Sequence, residues 1–204
     1  MFTAAKTVQS GGRELQDRAE YFYQGSNLIV VVADGAGGMS GGAEAADFVI
    51  QQVRQAINSH TLNLEELREF LISVDQQMIA AKNIGETTCV IAALSGGRII
   101  GASVGDSGAW IVSHSGIDNL TAQQCRKPFI GSGCAIPIGF ERTTLHGTLL
   151  LASDGLLKYT SAELIAAVVL MPDLEQAAQK LIELVKYPSG ALPDDVSVIL
   201  VRGG

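Results

Sequence analysis

Cysteine is scarce in this chain of 204 residues. The three present, Cys89, Cys125 and Cys134, are an odd number and form no C-x-x-C pair. That count points away from a disulfide framework and towards reduced thiols in the cytosol. The three histidines, His60, His114 and His146, make no H-x-x-x-H, which argues against a histidine-based zinc site. Positive charge is also short: 14 Lys and Arg against 21 Asp and Glu leave a net charge of −7. Nucleic-acid binding needs the opposite balance. An acidic surface suits a protein that attracts divalent cations, or one that is simply soluble. Long apolar runs are missing: Leu28 to Ala33 and Ile165 to Met171 fall far short of the roughly 20 residues a membrane helix needs. The opening "MFTAAKTVQSGG" carries neither the basic start nor the apolar core of a signal peptide. No membrane partner, no nucleic-acid partner and a cytoplasmic location are therefore expected. There are no internal repeats, low-complexity segments or linkers, so residues 1–204 are expected to form one domain. At this length a domain buries roughly 70% of its unfolded surface and needs no staples.

What is present alternates in texture. Phe2 to Gln9 reads as a strand. "AEYFYQ" and "NLIVVVAD" read as two strands around "GSN", whose Gly25 and Asn27 are hairpin-turn residues. The second of these is continuously apolar, which predicts burial on both faces. Glu44 to Ile57 and Leu64 to Ala81 carry apolar residues at helical spacing. Asn63 is the expected N-cap of the second helix, with Glu65 and Glu66 at the positive end of its dipole. Strand patterns return in "TTCVIAAL", "RIIGASVG", "AWIVSH" and "GTLLLAS", the first two joined by the turn "SGG". Two more helices are predicted at Ser161 to Leu170 and Leu174 to Val185, and a last strand at Val196 to Val201. This order is strands, helix pair, strands, helix pair, strand. It is not β-α-β-α alternation, and it predicts a layered α+β domain with helices covering a sheet core.

The turn after "NLIVVVAD" is rich in glycine. Gly35-Ala36-Gly37 begins like a dinucleotide fingerprint, but the third glycine position holds Ser40, and the element order does not fit that fold. A nucleotide-binding reading is accordingly weak. The stronger pattern is aspartate where apolar strands run out. Asp34 ends one strand, Asp106 follows "GASVG", Asp154 follows "LLLAS", Asp194 and Asp195 precede "VSVILV", and Asp17 precedes "AEYFYQ". One such aspartate is ordinarily a turn former or helix cap. Five sites suggest carboxylates converging on a sheet edge, where they repel and raise one another's pKa. Hard cations such as Mg²⁺ and Mn²⁺, which take oxygen ligands, relieve that repulsion.

The ordered set "QDR" (16–18), "VVADGAGGMSGGAEAA" (31–46), "GETTCVIAAL" (85–94), "SVGDSGAWIV" (103–112), "LLLASDGL" (149–156) and "PDDVSVILV" (193–201) resembles the metal-dependent serine/threonine protein phosphatases of type 2C, the PPM family. The likeness spans nearly the whole chain. It implies a four-layer α-β-β-α sandwich, two central antiparallel sheets flanked by helix pairs. It also implies hydrolysis of phosphoserine and phosphothreonine on proteins by a hydroxide bridging two Mn²⁺ or Mg²⁺ ions. The substrate would be a phosphoprotein and the opposing enzyme a Ser/Thr kinase. Carried over residue by residue, Asp34 is the bridging carboxylate and Gly35 offers its carbonyl to the second metal. Asp154 and Asp194 complete the first metal site. Asp17 holds water of the second, and Asp106 with Asp154 binds a weaker third ion. The catalytic set implied is Asp34, Asp154, Asp194 and, as phosphate clamp, Arg13.

The chain departs from the family pattern in several places. Arg13 lies four residues before Asp17, one closer than the family's arginine, with Arg18 as an alternative. Ala36 stands where some members have a histidine, Gly108 where arginine is frequent, and Asp195 where asparagine is usual. The last adds negative charge beside the metals. The stretch "AQQCRKPFIGSGCAIPIGFERTTLHG" is a short version of the flap that borders the family's active site. Its centre, "KPFIGSGCAIPIGF", reads as buried packing or, more sharply, as a partner-docking loop. The reading from another function class is a phosphatase-like module of weak catalysis that binds a phosphoprotein or regulatory partner.

Overall fold

The computed structural model describes residues 1–36, 41–56, 63–81 and 84–204. Gly37 to Ser40 of the glycine-rich turn, His60, and Ile57, the expected end of the first helix, lie outside the described residues. The described chain forms β1 (Phe2–Gln9), β2 (Asp17–Gln24), β3 (Asn27–Asp34), α1 (Gly42–Ala56), α2 (Leu64–Ala81), β4 (Cys89–Ser95), β5 (Arg98–Val104), β6 (Gly108–Ser113), β7 (Gly116–Asn119), β8 (Ile138–Arg142), β9 (Thr148–Ala152), α3 (Asp154–Leu157), α4 (Ala162–Val169), α5 (Leu174–Glu183) and β10 (Val196–Gly203). Two five-stranded antiparallel sheets result, ordered β1-β10-β9-β6-β7 and β2-β3-β4-β5-β8.

The continuously apolar strands are explained by what each face meets. In β3, Ile29, Val31 and Ala33 pack against α1 and α2. Leu28, Val30 and Val32, pointing the other way, meet Leu149, Leu151, Ile199 and Val201 of the facing sheet. In β10 and β9 the alternation repeats: Val198, Leu200, Leu150 and Ala152 pack under α4 and α5. Three apolar interfaces thus separate four layers, helix pair, sheet, sheet, helix pair. Period-two alternation is invisible in such strands because both faces are buried.

The helix caps follow the sequence rules. The Glu66 N–H donates to Asn63 Oδ1 at 3.0 Å and the Asn63 N–H to Glu66 Oε2 at 2.9 Å, a reciprocal capping box. Ser161 and Asp173 accept the Leu164 and Gln176 N–H groups at the starts of α4 and α5. The expected hairpin turns are two residues long, Gly25-Ser26 between Gln24 and Asn27 and Gly96-Gly97 between Ser95 and Arg98, and a third, His114-Ser115, joins β6 to β7.

Three elements were not anticipated from the pattern. β7 and β8 are the outer strands of the two sheets, partly exposed and without apolar alternation. Their edges are tied together by Arg142, which donates to both carboxylate oxygens of Asp118 at 2.6 and 2.7 Å. α3 is a single turn, too short for periodicity to register. The acidic strand ends are also distributed differently from one shared sheet edge. Asp17 and Asp34 end strands of one sheet, Asp154 and Asp194 flank strands of the other, and Asp106 lies on the link between β5 and β6. The two sheets face each other, so their ends open on the same side.

Candidate active site

The site starts from strand register. β2 and β3 pair so that Asp17 lies opposite Asp34. The chain then turns away from the sheet, and two threonines hold the turn in place. The Thr88 N–H and the Thr87 hydroxyl both donate to the Asp34 carbonyl, at 2.8 and 2.9 Å, while the Asp34 N–H donates to Thr88 Oγ1 at 3.1 Å. Thr88 is fixed in turn by the Ser107 hydroxyl at 2.7 Å. With its backbone groups all engaged, Asp34 projects its carboxylate from a rigid point.

Glycines let separate loops close around it. A Cβ on Gly35 would sit 2.3 Å from the Gly42 carbonyl oxygen, and one on Gly155 would sit 1.9 Å from that of Asp195. No side chain fits at either place. From the facing sheet, the Ser153 N–H donates to the Ser197 carbonyl and the Ser197 N–H to Ser153 Oγ, both at 3.0 Å. This stitches the end of β9 to β10 and sets Asp154 at the start of α3 beside Asp194.

These loops enclose a cavity of about 830 Å³, lined by Asp34, Gly35, Ala36, Asp106, Asp154 and Asp194 together with Glu14, Glu86, Asp195, Arg126 and Lys127. Five of the six expected metal-site residues therefore meet in one place. The sixth, Asp17, lies beneath it and is 1% exposed. Arg13 is exposed and is not among the lining residues, although Gly12 and Glu14 on either side are. Arg18 faces elsewhere: its Nε and Nη2 grip both oxygens of Asp47 at 2.6 and 2.8 Å.

The electrostatics are those of carboxylates held together against their repulsion. Burial, then the charges of Asp17 and Asp154, push the pKa of Asp34 up to about 10, with Asp194 adding to the effect. Burial raises Asp17 to about 6, partly countered by the nearby Ser153 and Ser197 hydroxyls. Asp154 is raised by burial and by Asp106 and Asp194, with Lys158 and Arg126 opposing. Neither oxygen of Asp17 has a hydrogen-bond partner of good geometry. A buried acid without hydrogen-bonded partners is costly, and a cation or its water shell is the kind of group that would offset that cost. The donor set is all oxygen, as hard divalent cations require. The carboxylates line the cavity wall, and among the described residues no three acidic, histidine or cysteine side chains close around one point.

Sequence reasoning missed three features. Asp195 acts on the chain rather than on the cavity alone: it accepts the Gly11 and Ser10 donors on Oδ1 and the Gln16 N–H on Oδ2, fastening the loop before β2 to the turn that carries Asp194. Arg126 and Lys127 are the cations of the cavity wall among the described residues. Asp75, 1% exposed in α2, accepts the N–H groups of Gly131, Gly133 and Ala135 at 2.7, 3.0 and 3.1 Å. Its place among Leu71, Val74 and Met78 on the apolar face of the helix was the available signal. The short flap is therefore pinned, with Ile130 fully buried and paired to Thr87.

Comparison with known proteins gives a consistent result. A sequence profile described as Protein phosphatase 2C matches residues 6–132. The serine/threonine phosphatase Stp1 from Staphylococcus aureus has the same architecture, with a TM-score of 0.86 at 22% identity, covering 100% of this chain and 96% of that one. The catalytic domain of the serine/threonine protein phosphatase PstP, solved with two manganese ions, gives a TM-score of 0.83 at 22% identity over 98% and 97% of the two chains. A bacterial serine phosphatase gives 0.87 at 22% identity over 100% and 99%. At such identities these structures establish the fold. A comparison with curated proteins returned no match.

Proposed function

The chain belongs to the protein phosphatase 2C family by its match over residues 6–132, and on that premise we propose that it hydrolyses phosphoserine and phosphothreonine on proteins with the aid of two Mn²⁺ or Mg²⁺ ions. The family is metal-dependent and its activity is that of a serine/threonine phosphatase. The finer reading rests on one observation: Asp34, Asp154 and Asp194 come from two facing sheets to one cavity, over a buried Asp17 that makes no hydrogen bond of good geometry.

In this reading Asp34, Asp154, Asp194 and the Gly35 carbonyl would hold the two ions, Asp17 would hold water of one of them, and Asp106 with Asp154 would offer a weaker third position. When bound, such ions act as Lewis acids and make water a nucleophile near neutral pH. The chain's own residues do the rest. The raised pKa of Asp34 means that it gives up its proton as cations bind, so metal uptake and deprotonation are one event. The threonine-held Asp34 backbone and the stitched Ser153–Ser197 pair keep the carboxylates at fixed separation, which is the positioning phosphoryl transfer depends on. The oxygen of water bonds to phosphorus, the bond from phosphorus to the Ser or Thr oxygen breaks, and that oxygen takes a proton. Ala36 cannot supply it, so no acid stands at that place. This route needs no phosphoenzyme and no thiol, and Cys89 is buried with its pKa pushed up to about 12.

The 204 residues act as one phosphatase domain on phosphoprotein substrates, opposing a Ser/Thr kinase. No described helix is long and apolar enough to cross a membrane. The free thiols Cys125 and Cys134 fit a reducing cytoplasm. The position of Arg13 outside the cavity wall favours, as second reading, a phosphoprotein-binding module of weak catalysis. The test is Asp34→Asn: loss of both Mn²⁺ binding by equilibrium dialysis and phosphothreonine-peptide hydrolysis, with far-UV circular dichroism unchanged, is expected. Unchanged turnover in the folded variant would sink the assignment.

A further inference from the structure

Resting on the phosphatase reading, we propose that Arg126 is the residue that receives the substrate's phosphate, gripping two of its oxygens through the terminal guanidinium nitrogens, with Lys127 adding charge beside it. A phosphate monoester entering this cavity passes seven carboxylates, those of Glu14, Asp34, Glu86, Asp106, Asp154, Asp194 and Asp195. Bound ions would offset the innermost of these, but the approach needs cations from the chain. Among the described residues, Arg126 and Lys127 are the cationic side chains that line it.

The geometry of Arg126 suits the task. Its Nε donates to Asp106 Oδ2 at 2.7 Å. This fixes the plane of the guanidinium, while no other hydrogen bond of that group is made among the described residues. The two Nη atoms remain as a fork, the arrangement that matches phosphate oxygens in a bidentate way. The side chain is 70% exposed at the rim rather than buried in structural packing. Lys127 Nζ lies 5.2 Å from the ring centre of Phe129, which also lines the cavity.

The backbone that carries Arg126 is held on both sides. Gln124 Nε2 donates to the Ser107 carbonyl at 2.9 Å. Beyond it, Ile130 exchanges hydrogen bonds with Thr87 at 3.0 and 2.9 Å, and Asp75 holds residues 131–135. Thr87 also donates to the Asp34 carbonyl, so the arginine's segment and the carboxylate centre share one hydrogen-bonded frame. The short flap thus presents a fixed arginine.

The experiment compares wild type with Arg126→Ala, Arg126→Lys and Arg13→Ala. It measures the dissociation constant of inorganic phosphate by calorimetry, kcat and KM on a phosphothreonine peptide, and bound Mn²⁺ by equilibrium dialysis. Loss of a charge-assisted pair is expected to weaken phosphate binding and raise peptide KM about tenfold or more in Arg126→Ala. Bound Mn²⁺ should not change. Lysine should restore only part of the affinity because it lacks the fork. Unchanged phosphate affinity in Arg126→Ala overturns the proposal, as does loss confined to Arg13→Ala. Weakened binding that tracks a loss of Mn²⁺ also overturns it, since Arg126 would then only position Asp106. A wild type without turnover refutes the phosphatase reading separately, and the phosphate titration still decides the role of Arg126.

Discussion

Removing the metal should invert the usual pH dependence of stability. In EDTA the buried pair Asp17 and Asp34 has no metal counter-ion, and the folded state prefers to keep its protons there. Burial raises Asp17 from 3.8 to about 6. A carboxyl whose pKa is higher folded than unfolded binds more protons in the native state, so its stabilisation is complete below the unfolded value and is lost as pH rises through the folded one. For Asp17 that window runs from 3.8 to about 6, and at about 1.4 kcal/mol per pH unit the loss is roughly 3 kcal/mol. Asp34, raised to about 10 by burial and by Asp17 and Asp154, extends the decline in the same direction through neutral pH. Against a total stability of about 5–15 kcal/mol for a typical domain, this is large. Urea unfolding in excess EDTA should therefore show a lower midpoint at about pH 7 than at about pH 4.5, with an unchanged slope. Added Mn²⁺ should reverse the trend, because cations bind the ionised cluster and stabilise by mass action. Metal-free stability that rises between those two pH values would refute the claim that these carboxylates are buried together.

Other consequences follow from particular contacts. Asp195→Ala frees the Gly11, Ser10 and Gln16 donors and should lower stability by about 2 kcal/mol and kcat/KM by at least about tenfold. Asp195→Asn, which keeps one acceptor oxygen, should fall between, as thermal melts and peptide kinetics will show. Gly155→Ala forces a Cβ to within 1.9 Å of the Asp195 carbonyl oxygen; a loss of about 2 kcal/mol or more in urea unfolding is expected. Asp75→Ala strands three N–H donors of the 131–135 segment. Proteolysis should then cut that segment faster, and KM for a phosphopeptide should rise while bound Mn²⁺ holds.

The sequence made the layers legible because helix periodicity and strand texture are local. α2 begins and ends where Asn63 and the apolar stripe place it, and the β2–β3 and β4–β5 hairpins sit on their glycines. The meeting of Asp34, Asp106, Asp154 and Asp194 in one cavity was legible too, since each sits where an apolar run begins or ends. What was not legible depends on contacts across the chain. Asp195 reads as extra charge until the Gly11 and Gln16 N–H groups, about 180 residues away, are seen to converge on it. Arg126 reads as a surface residue until the flap is seen pinned to Asp75 and Thr87. β7 and β8 carry no pattern because half their surface faces water, and their pairing comes from the sheets they complete. The outcome for Arg13 is of the same kind: four residues of spacing cannot say which way an irregular loop turns its side chain.

The most direct test of the account is hydrolysis of para-nitrophenyl phosphate and a phosphothreonine peptide by the purified chain, first with Mn²⁺ and then with excess EDTA. Turnover of both substrates that is lost in EDTA and returns with added Mn²⁺ is the predicted result. A folded protein that binds Mn²⁺ by calorimetry yet hydrolyses neither substrate would contradict it, and would make the cavity a phosphoprotein-binding surface instead of a catalytic centre.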